Sequence, residues 1–403
     1  MSRCWPERLL SRARFTRIAT AGGLLLLLAA CTGMPGAEYF GFGSAPPPPP
    51  PPAQPSQVGA GQVKVALILP LSAQGNAGAT AQSMRNAAEM ALAEFNNPDI
   101  QLLVKDDGGS GVGAQQAAQT ALAEGAEIIL GPLFAQSVSA AGQVARQRGI
   151  PCIAFSTDAG VAAPGVYLLS FLPESEVNRV VAYAATQGKR SFAALIPDNA
   201  YGTVVQAAFQ QAVANHGGRV VVMERYPLDR GLMQASVQRV AQAARQVDAI
   251  FIPDGADSVV PITQALAASG ATRKQLIGTG LWDAEPRLAA EPSVQGGWFA
   301  APDPSGFRAF ASRYRGRYGQ DPARAATLAY DAVSLVAALV KTQGQARFAE
   351  ATLTNPSGFA GIDGVFRFRQ DGTNQRGLAV MRVTASGGQV VSPAPKALAA
   401  GGT

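Results

Sequence analysis

The feature that most constrains this chain is an alternation of short apolar runs and helix-like stretches that runs its course and then starts again. Val63–Leu69 is small and branched apolar residues stopping at Pro70, and Ala77–Phe95 follows with helical spacing. Ile100–Val104 precedes a helical stretch from about Ala114 to Glu124. Glu127–Leu130 ends at Gly131-Pro132 before a helix reaching about Arg148, and Cys152–Phe155 closes the series. Phe192–Ile196 then restarts it, leading into a helix over Tyr201–Asn215 that ends at Gly217-Gly218, residues suited to a C-terminal cap. Val220–Met223 precedes a helix over Met233–Gln246, and Ala249–Ile252 precedes one over Asp257–Ala268. Continuously apolar strands followed by amphipathic helices are what a parallel sheet covered on both faces requires. The fold class expected is therefore α/β, two-lobed, each lobe a mostly parallel sheet flanked by helices. Ligands of open α/β sheets settle outside the strands' C-terminal ends. A cleft between the lobes, where both present those ends, is the expected site.

The first 30 residues belong to a different regime. Arg3, Arg8, Arg12, Arg14 and Arg17 precede an apolar stretch from Ile18 to Ala30, whose 13 residues are short for a helix crossing a ~30 Å hydrocarbon core. It ends Leu28-Ala29-Ala30-Cys31. This arrangement resembles the lipobox of bacterial lipoprotein precursors. The resemblance implies diacylglyceryl transfer to Cys31, cleavage before it, and export to the periplasm on a lipid anchor. Residues 1–30 are then a signal peptide. The chain has 33 basic and 27 acidic residues, net +6; the leader holds five Arg and Glu7, which leaves 28 and 26, or +2. The basic balance is largely the leader's, and nucleic acid is not an expected partner. With Cys4 removed and Cys31 lipidated, Cys152 is alone, so no intramolecular disulfide can form and a buried apolar role is expected for its thiol. Residues 31–62 carry consecutive prolines from Pro46 to Pro52, a composition for an extended stalk rather than a core.

Catalysis is hard to assemble from these residues. His216 is the only histidine and sits at a helix end; there is no HExxH, CxxC or GxSxG. No enzyme activity, metal or cofactor is expected. Asp106-Asp107 would point to opposite faces of an extended strand. Gly109–Ala114 fits G-x-G-x-x-[GA], but it follows the second strand and no acid ends the next one, so a turn is expected rather than a dinucleotide site. Binding is better supported. Polar loops follow the strand ends and carry Ser72 and Gln74, Phe134, Ser156, Thr157 and Asp158, Tyr201, Asp254, and Trp282 with Asp283. Backbone N–H groups at such helix starts suit a carboxylate or carbonyl.

From about Val63 to Gln389 the chain resembles type I periplasmic binding proteins of the branched-chain amino-acid-binding family. The motifs are Ala66–Ser72, Val104–Gly109, Gly131-Pro132, Tyr201-Gly202, Phe310–Tyr314, Tyr318–Pro322, Ala329–Ala332, Gly361–Phe368 and Asp371-Gly372. The resemblance implies three crossovers between lobes, near Ser170–Pro173, Trp298–Pro302 and Pro356–Gly361. The first lobe would be 63–171 with 301–357, the second 172–300 with 358–392, and 393–403 a disordered tail. Of the family's ligand-holding positions, its serine falls on Ala135, its small-x-Thr pair on Asp158 and Gly160, and its ammonium-holding Glu on Gly280; Tyr201 keeps the aromatic. Asp158, Asp254, Asp257 or Asp283 could replace the absent acid. The implied function is a lipid-anchored binder of an amino-acid-like small molecule, with an ABC permease as candidate partner. The Pro-rich stalk and Thr32 are also similar to lipoproteins that activate penicillin-binding proteins, which makes a peptidoglycan synthase the alternative partner. Thr32, where Asp would favour inner-membrane retention, tilts the anchor towards the outer membrane.

Overall fold

The computed structural model describes residues 56–398 apart from 228, 272–273 and 284; the expected signal peptide, lipidated Cys31, the stalk up to residue 55 and the last five residues lie outside the described residues. The first lobe is built from β1 (Gln57–Val58), β2 (Val63–Leu69), α1 (Asn76–Glu94), β3 (Ile100–Asp106), α2 (Gly111–Ala123), β4 (Ile128–Leu130), α3 (Ala135–Gln147), β5 (Cys152–Ala154) and β6 (Val166–Leu168). Their order across the sheet is β1-β3-β2-β4-β5-β6. Only the edge pair β1–β3 is antiparallel. Successive side chains of a strand point to opposite faces. Accordingly Val65, Leu67 and Leu69 enter one core, while Ala66 and Ile68 enter a second one with α2 and α3. Cys152 is fully buried in that second core; its thiol donates to the Gly131 carbonyl at 3.1 Å, and burial pushes it up to about 12.

The chain then passes into the second lobe through α4 (Pro173–Thr186) and continues with β7 (Ser191–Pro197), α5 (Ala200–Asn215), β8 (Arg219–Tyr226), α6 (Arg230–Ala243), β9 (Ala249–Phe251), α7 (Ala256–Ala268), β10 (Gln275–Ile277), α8 (Pro286–Ala290) and β11 (Trp298–Ala301). His216 forms the C-cap of α5. Returning to the first lobe, α9 (Pro304–Tyr318) and α10 (Ala326–Gln343) bring Phe310, Tyr314 and Leu328 against α1 and the sheet, followed by α11 (Glu350–Leu353). A small antiparallel sheet of β12 (Phe359–Gly361), β13 (Gly364–Phe368) and β14 (Asn374–Arg376) comes next. Finally β15 (Ala379–Thr384) and β16 (Gly387–Ser392) complete the second sheet, ordered β16-β15-β11-β10-β9-β7-β8. Both sheets are parallel-dominated and flanked by helices, the two-lobed architecture expected. Among the described residues no helix is long and apolar enough to cross a membrane.

One boundary lies elsewhere than the sequence suggested. Residues from 358 onwards were expected in the second lobe. Phe359, Phe366 and Phe368 instead pack on one another and into the first core, with Phe366 and Phe368 each 1% exposed. The last crossing therefore comes at 377–378, between β14 and β15. The other two come at 169–172 and 302–303, between β6 and α4 and between β11 and α9. Phe366→Ala should cost about 3–5 kcal/mol, the loss of a buried aromatic plus the cavity left behind. Urea unfolding would read this as a lower midpoint, and a change under ~1 kcal/mol would mean that the small sheet is not part of that core.

Candidate functional site

In the first lobe the loops after β2 and β3 are tied to each other. Asp106 Oδ1 accepts the backbone N–H of Ser72 at 3.2 Å and of Gly108 at 2.9 Å. Burial opposes the charge on Asp106, but the donors from Ser72 and Gly108 outweigh it and hold the carboxyl below its ordinary range. Asp107, on the opposite face, is buried; desolvation pushes it up although Gly109 donates to its Oδ1 at 2.8 Å. Ser110 caps α2 by accepting the Gly113 N–H at 3.1 Å, and a Cβ on Gly113 would stand 2.2 Å from the Asp107 carbonyl oxygen. The glycine-rich match is thus a capping turn. Ser72 and Gln74 are exposed, and Phe134 is the N-cap residue of α3, its ring beside Gly109. Buried Ser156 accepts the Asp158 N–H at 3.1 Å, while Thr157 and Asp158 are exposed and Asp158 caps a short turn through Gly160 at 2.8 Å.

Second-lobe loops place Tyr201, at the start of α5, with its hydroxyl 2.9 Å from Thr279 Oγ1. Desolvation pushes that phenol above its ordinary range; its bond to Thr279 opposes the shift, and the nearby Glu176 charge adds to it. Asp254 has both oxygens engaged, Oδ2 by the Tyr226 hydroxyl at 2.6 Å and Oδ1 by the Gly255 N–H at 2.7 Å. Trp282 is a core residue. It is 2% exposed, donates Nε1–H to the Asp254 carbonyl at 3.1 Å, and fills space that a Cβ on Gly278 or Gly297 would occupy, at 2.1 and 2.8 Å from the ring.

The two lobes meet around a cavity of about 330 Å³ lined by Phe171, Glu176, Gly280, Asp283, Phe307 and Arg324, among others. Of the candidate ligand residues singled out from sequence, only Asp283 lines it, beside Gly280, where the resemblance placed the family's acid. Glu176 lies in the first turn of α4 and is 9% exposed. Its Oε2 accepts the Gly280 N–H at 2.8 Å, and Oε1 has no hydrogen-bond partner among the described residues. Burial pushes Glu176 up to about 8, against the pull of the Gly280 N–H and of Arg324 and with the help of Asp283 and Glu174. Glu174 is itself pushed up by burial and by the charge of Asp158. Across the cavity, Arg324 binds Asp363 through two bonds of 2.7 and 3.0 Å and stacks on Phe171 and Phe307, each 4.7 Å away. Two signals in the sequence pointed here. Pro173-Glu174-Ser175-Glu176 sets two acids in a helix's first turn directly after a crossing, and Gly280 leaves a position without a side chain.

A larger depression of about 670 Å³, with Lys189, Lys274 and Glu291 on its wall, lies just before β7, β10 and β11, at the strand ends opposite the cleft. Among the described residues no group of His, Cys, Asp and Glu is placed to hold a metal ion. What the cavity offers is a desolvated acid with an open oxygen, a neutralised arginine and two aromatic rings: groups that hold a small polar molecule.

The raised Glu176 has a measurable consequence. Its acid prefers the protonated form when folded, so the native state loses stability as pH rises from about 4.5 to about 8, between the free and the folded values. Asp331, raised by burial to about 7, contributes a parallel loss in the same direction. The melting temperature of Glu176→Gln should therefore fall less than that of wild type between about pH 5 and pH 8, with Asp331 and the other buried acids Asp107 and Glu174 leaving a residual slope. Identical slopes would place Glu176 in solvent.

A family model described as periplasmic binding protein matches residues 62–389. Among solved structures, a protein from Rhodospirillum rubrum assigned to branched-chain amino acid ABC transport superposes with a TM-score of 0.73 at 21% identity, covering 82% of this chain and 99% of that one. An ABC transporter substrate-binding protein from Desulfitobacterium hafniense, solved in complex with Leu, gives 0.62 at 18% identity, with 82% and 99% covered. A solute-binding protein of an ABC transporter from Rhodopseudomonas palustris, in complex with 3,4-dihydroxybenzoic acid, gives 0.59 at 20%, with 84% and 97% covered. No curated protein matches the chain at a significant level.

Proposed function

The chain belongs to the periplasmic binding protein family, and from that premise we propose that it is a lipid-anchored solute-binding protein that closes its two lobes on an amino-acid-like molecule and delivers it to an ABC importer. The family is one of binders rather than enzymes, and its members work in the periplasm. The observation that carries the reading is the cavity at the lobe junction, whose wall joins Glu176, Gly280 and Asp283 from the second lobe to Phe307 and Arg324 from the first. A site assembled from two bodies is completed only when they approach, which is how hinge closure couples binding to shape. The lipid anchor is read from Leu28-Ala29-Ala30-Cys31, and the Pro-rich stretch after it serves as the spacer between membrane and lobes.

Binding, lipidation and pull-down experiments bear on this reading. A solute in hundredfold excess over its Kd should stabilise the protein by about 2.7 kcal/mol and reduce its radius of gyration in small-angle scattering. Turnover of that solute by the pure protein would argue for a different class. Cys31→Ala should leave the protein unlabelled by radioactive palmitate and absent from the membrane fraction, and normal labelling would reject the anchor. If amino acids and aromatic acids all fail to bind while the protein retains a peptidoglycan synthase in a pull-down, synthase activation becomes the better account.

A further inference from the structure

We propose that Glu176 is the anion that receives a protonated nitrogen of the solute, reaching from α4 into the space that Gly280 leaves without a side chain. The inference rests on the solute-binding reading above and specifies what that site selects. Four observations lead to it. Glu176 is nine-tenths buried, lines the cavity between the lobes, and has one oxygen without a partner among the described residues. Gly280 is fitted to it: a Cβ there would stand 2.5 Å from Oε1, so a larger residue at 280 would displace the carboxylate from this position. The groups facing Glu176 are Glu174 on its own helix, Asp283 beside Gly280, Tyr201 at the start of α5, and Arg324 from the other lobe. Two acids and a phenol outnumber one cation around Glu176, and that cation is already bidentate with Asp363. An anionic group placed at Oε1 would meet repulsion from these acids. A protonated nitrogen would meet an acceptor in a place where its charge is otherwise uncompensated, and burying such a charge unpaired is expensive.

Burial, which pushes Glu176 up to about 8, favours a proton on its carboxyl where no cation faces it. When an alkylammonium binds, the O–H bond of the carboxylic acid breaks, the proton leaves to solvent, and the carboxylate accepts N–H bonds from the ligand. Charge is conserved in the site, because one cation replaces another. Affinity for a cation should then rise about tenfold per pH unit up to about 8 and level off above it.

The test uses functional groups as probes, so it does not wait on the natural solute. Melting temperatures are measured for wild type and Glu176→Gln in propylammonium chloride, sodium propionate, sodium benzoate and sodium chloride at equal ionic strength, at about pH 6 and about pH 8.5. Propylammonium should raise the wild-type midpoint above the sodium chloride value, more at the higher pH, and Glu176→Gln should abolish the rise. Glutamine is nearly isosteric and its amide oxygen still accepts the Gly280 N–H, so the fold is expected to survive. Gly280→Ala provides a second variant that leaves the acid in place but displaces it, and it should lose the same response. An equal propylammonium shift in wild type and Glu176→Gln, or none in wild type, overturns the proposal. If benzoate or propionate stabilises wild type while propylammonium does not, solute binding stands and the role of Glu176 falls. Silence from every probe counts against both.

Discussion

The joint between the lobes depends on one aromatic ring shared by two guanidinium groups. Phe171, in the first crossing, has the guanidinium of Arg324 at 4.7 Å from its ring centre and that of Arg376 at 4.8 Å. Each such contact contributes roughly 0.5–2 kcal/mol, most where water is excluded. Arg376 sits at the end of β14, is 6% exposed, and donates from Nε to the Ser170 carbonyl at 2.9 Å; Asn374 donates to Leu168 and Ser170 at 2.7 and 2.9 Å. The first and last crossings are thereby bound side by side. Two cations this close need compensation, and Asp363 and Asp331, at 0% and 3% exposure, supply it from the first lobe. Removing Asp363, which pairs with Arg324 at 2.7 Å and is the first charge acting on Arg376, would leave buried charge uncompensated, a loss of about 3–5 kcal/mol in comparable pairs. Because the crossings are fixed to each other, relative motion of the lobes has to be absorbed by rotations within a few residues of each, as in other hinges.

This arrangement also explains which parts of the fold were legible in the sequence. Strands such as Val63–Leu69 and Ser191–Pro197 were readable because short apolar runs, each followed by a helical stretch, are what a parallel sheet covered on both faces requires. The position of the last crossing was not. Phe366 and Phe368 alternate with Val365 and Arg367 in a pattern that identifies a half-buried strand. Periodicity says that one face of β13 is covered; it does not say by which lobe. That choice is made by the aromatic cluster with Phe359 and Tyr167 and by the buried arginine beside it, interactions between residues far apart in sequence.

The site was less legible for a related reason. Of the polar residues at strand ends, several are spent on the loops themselves: Asp158 on Gly160, Asp254 on Tyr226 and Gly255. Trp282 follows a strand end as a cleft aromatic would, yet the glycines at 278 and 297 open a slot that draws it into the core. A residue's place at a strand end fixes where its backbone lies. Whether its side chain faces the cleft depends on how much room the neighbouring elements leave, and in this chain glycines decide that.

Gly280 shows the same logic from the other side. A glycine in place of an acid reads, position by position, as the removal of a ligand-holding group. In three dimensions it is the condition for Glu176 to enter from another helix, more than a hundred residues earlier in the chain, and to be fixed there by the glycine's own N–H. Among the acids that could stand in at this position, Asp257 is exposed and paired with Arg287 at 2.6 Å, and both oxygens of Asp254 are engaged. Asp283 stands next to the cavity and acts on Glu176 through its charge. Glu176 differs from these in combining deep burial with an open oxygen. A buried carboxyl in that state remains only because a proton neutralises it. A group that displaces the proton brings a positive charge of its own, so on the proposed role of Glu176 the cleft selects through the desolvation of one acid rather than through the number of polar groups around it.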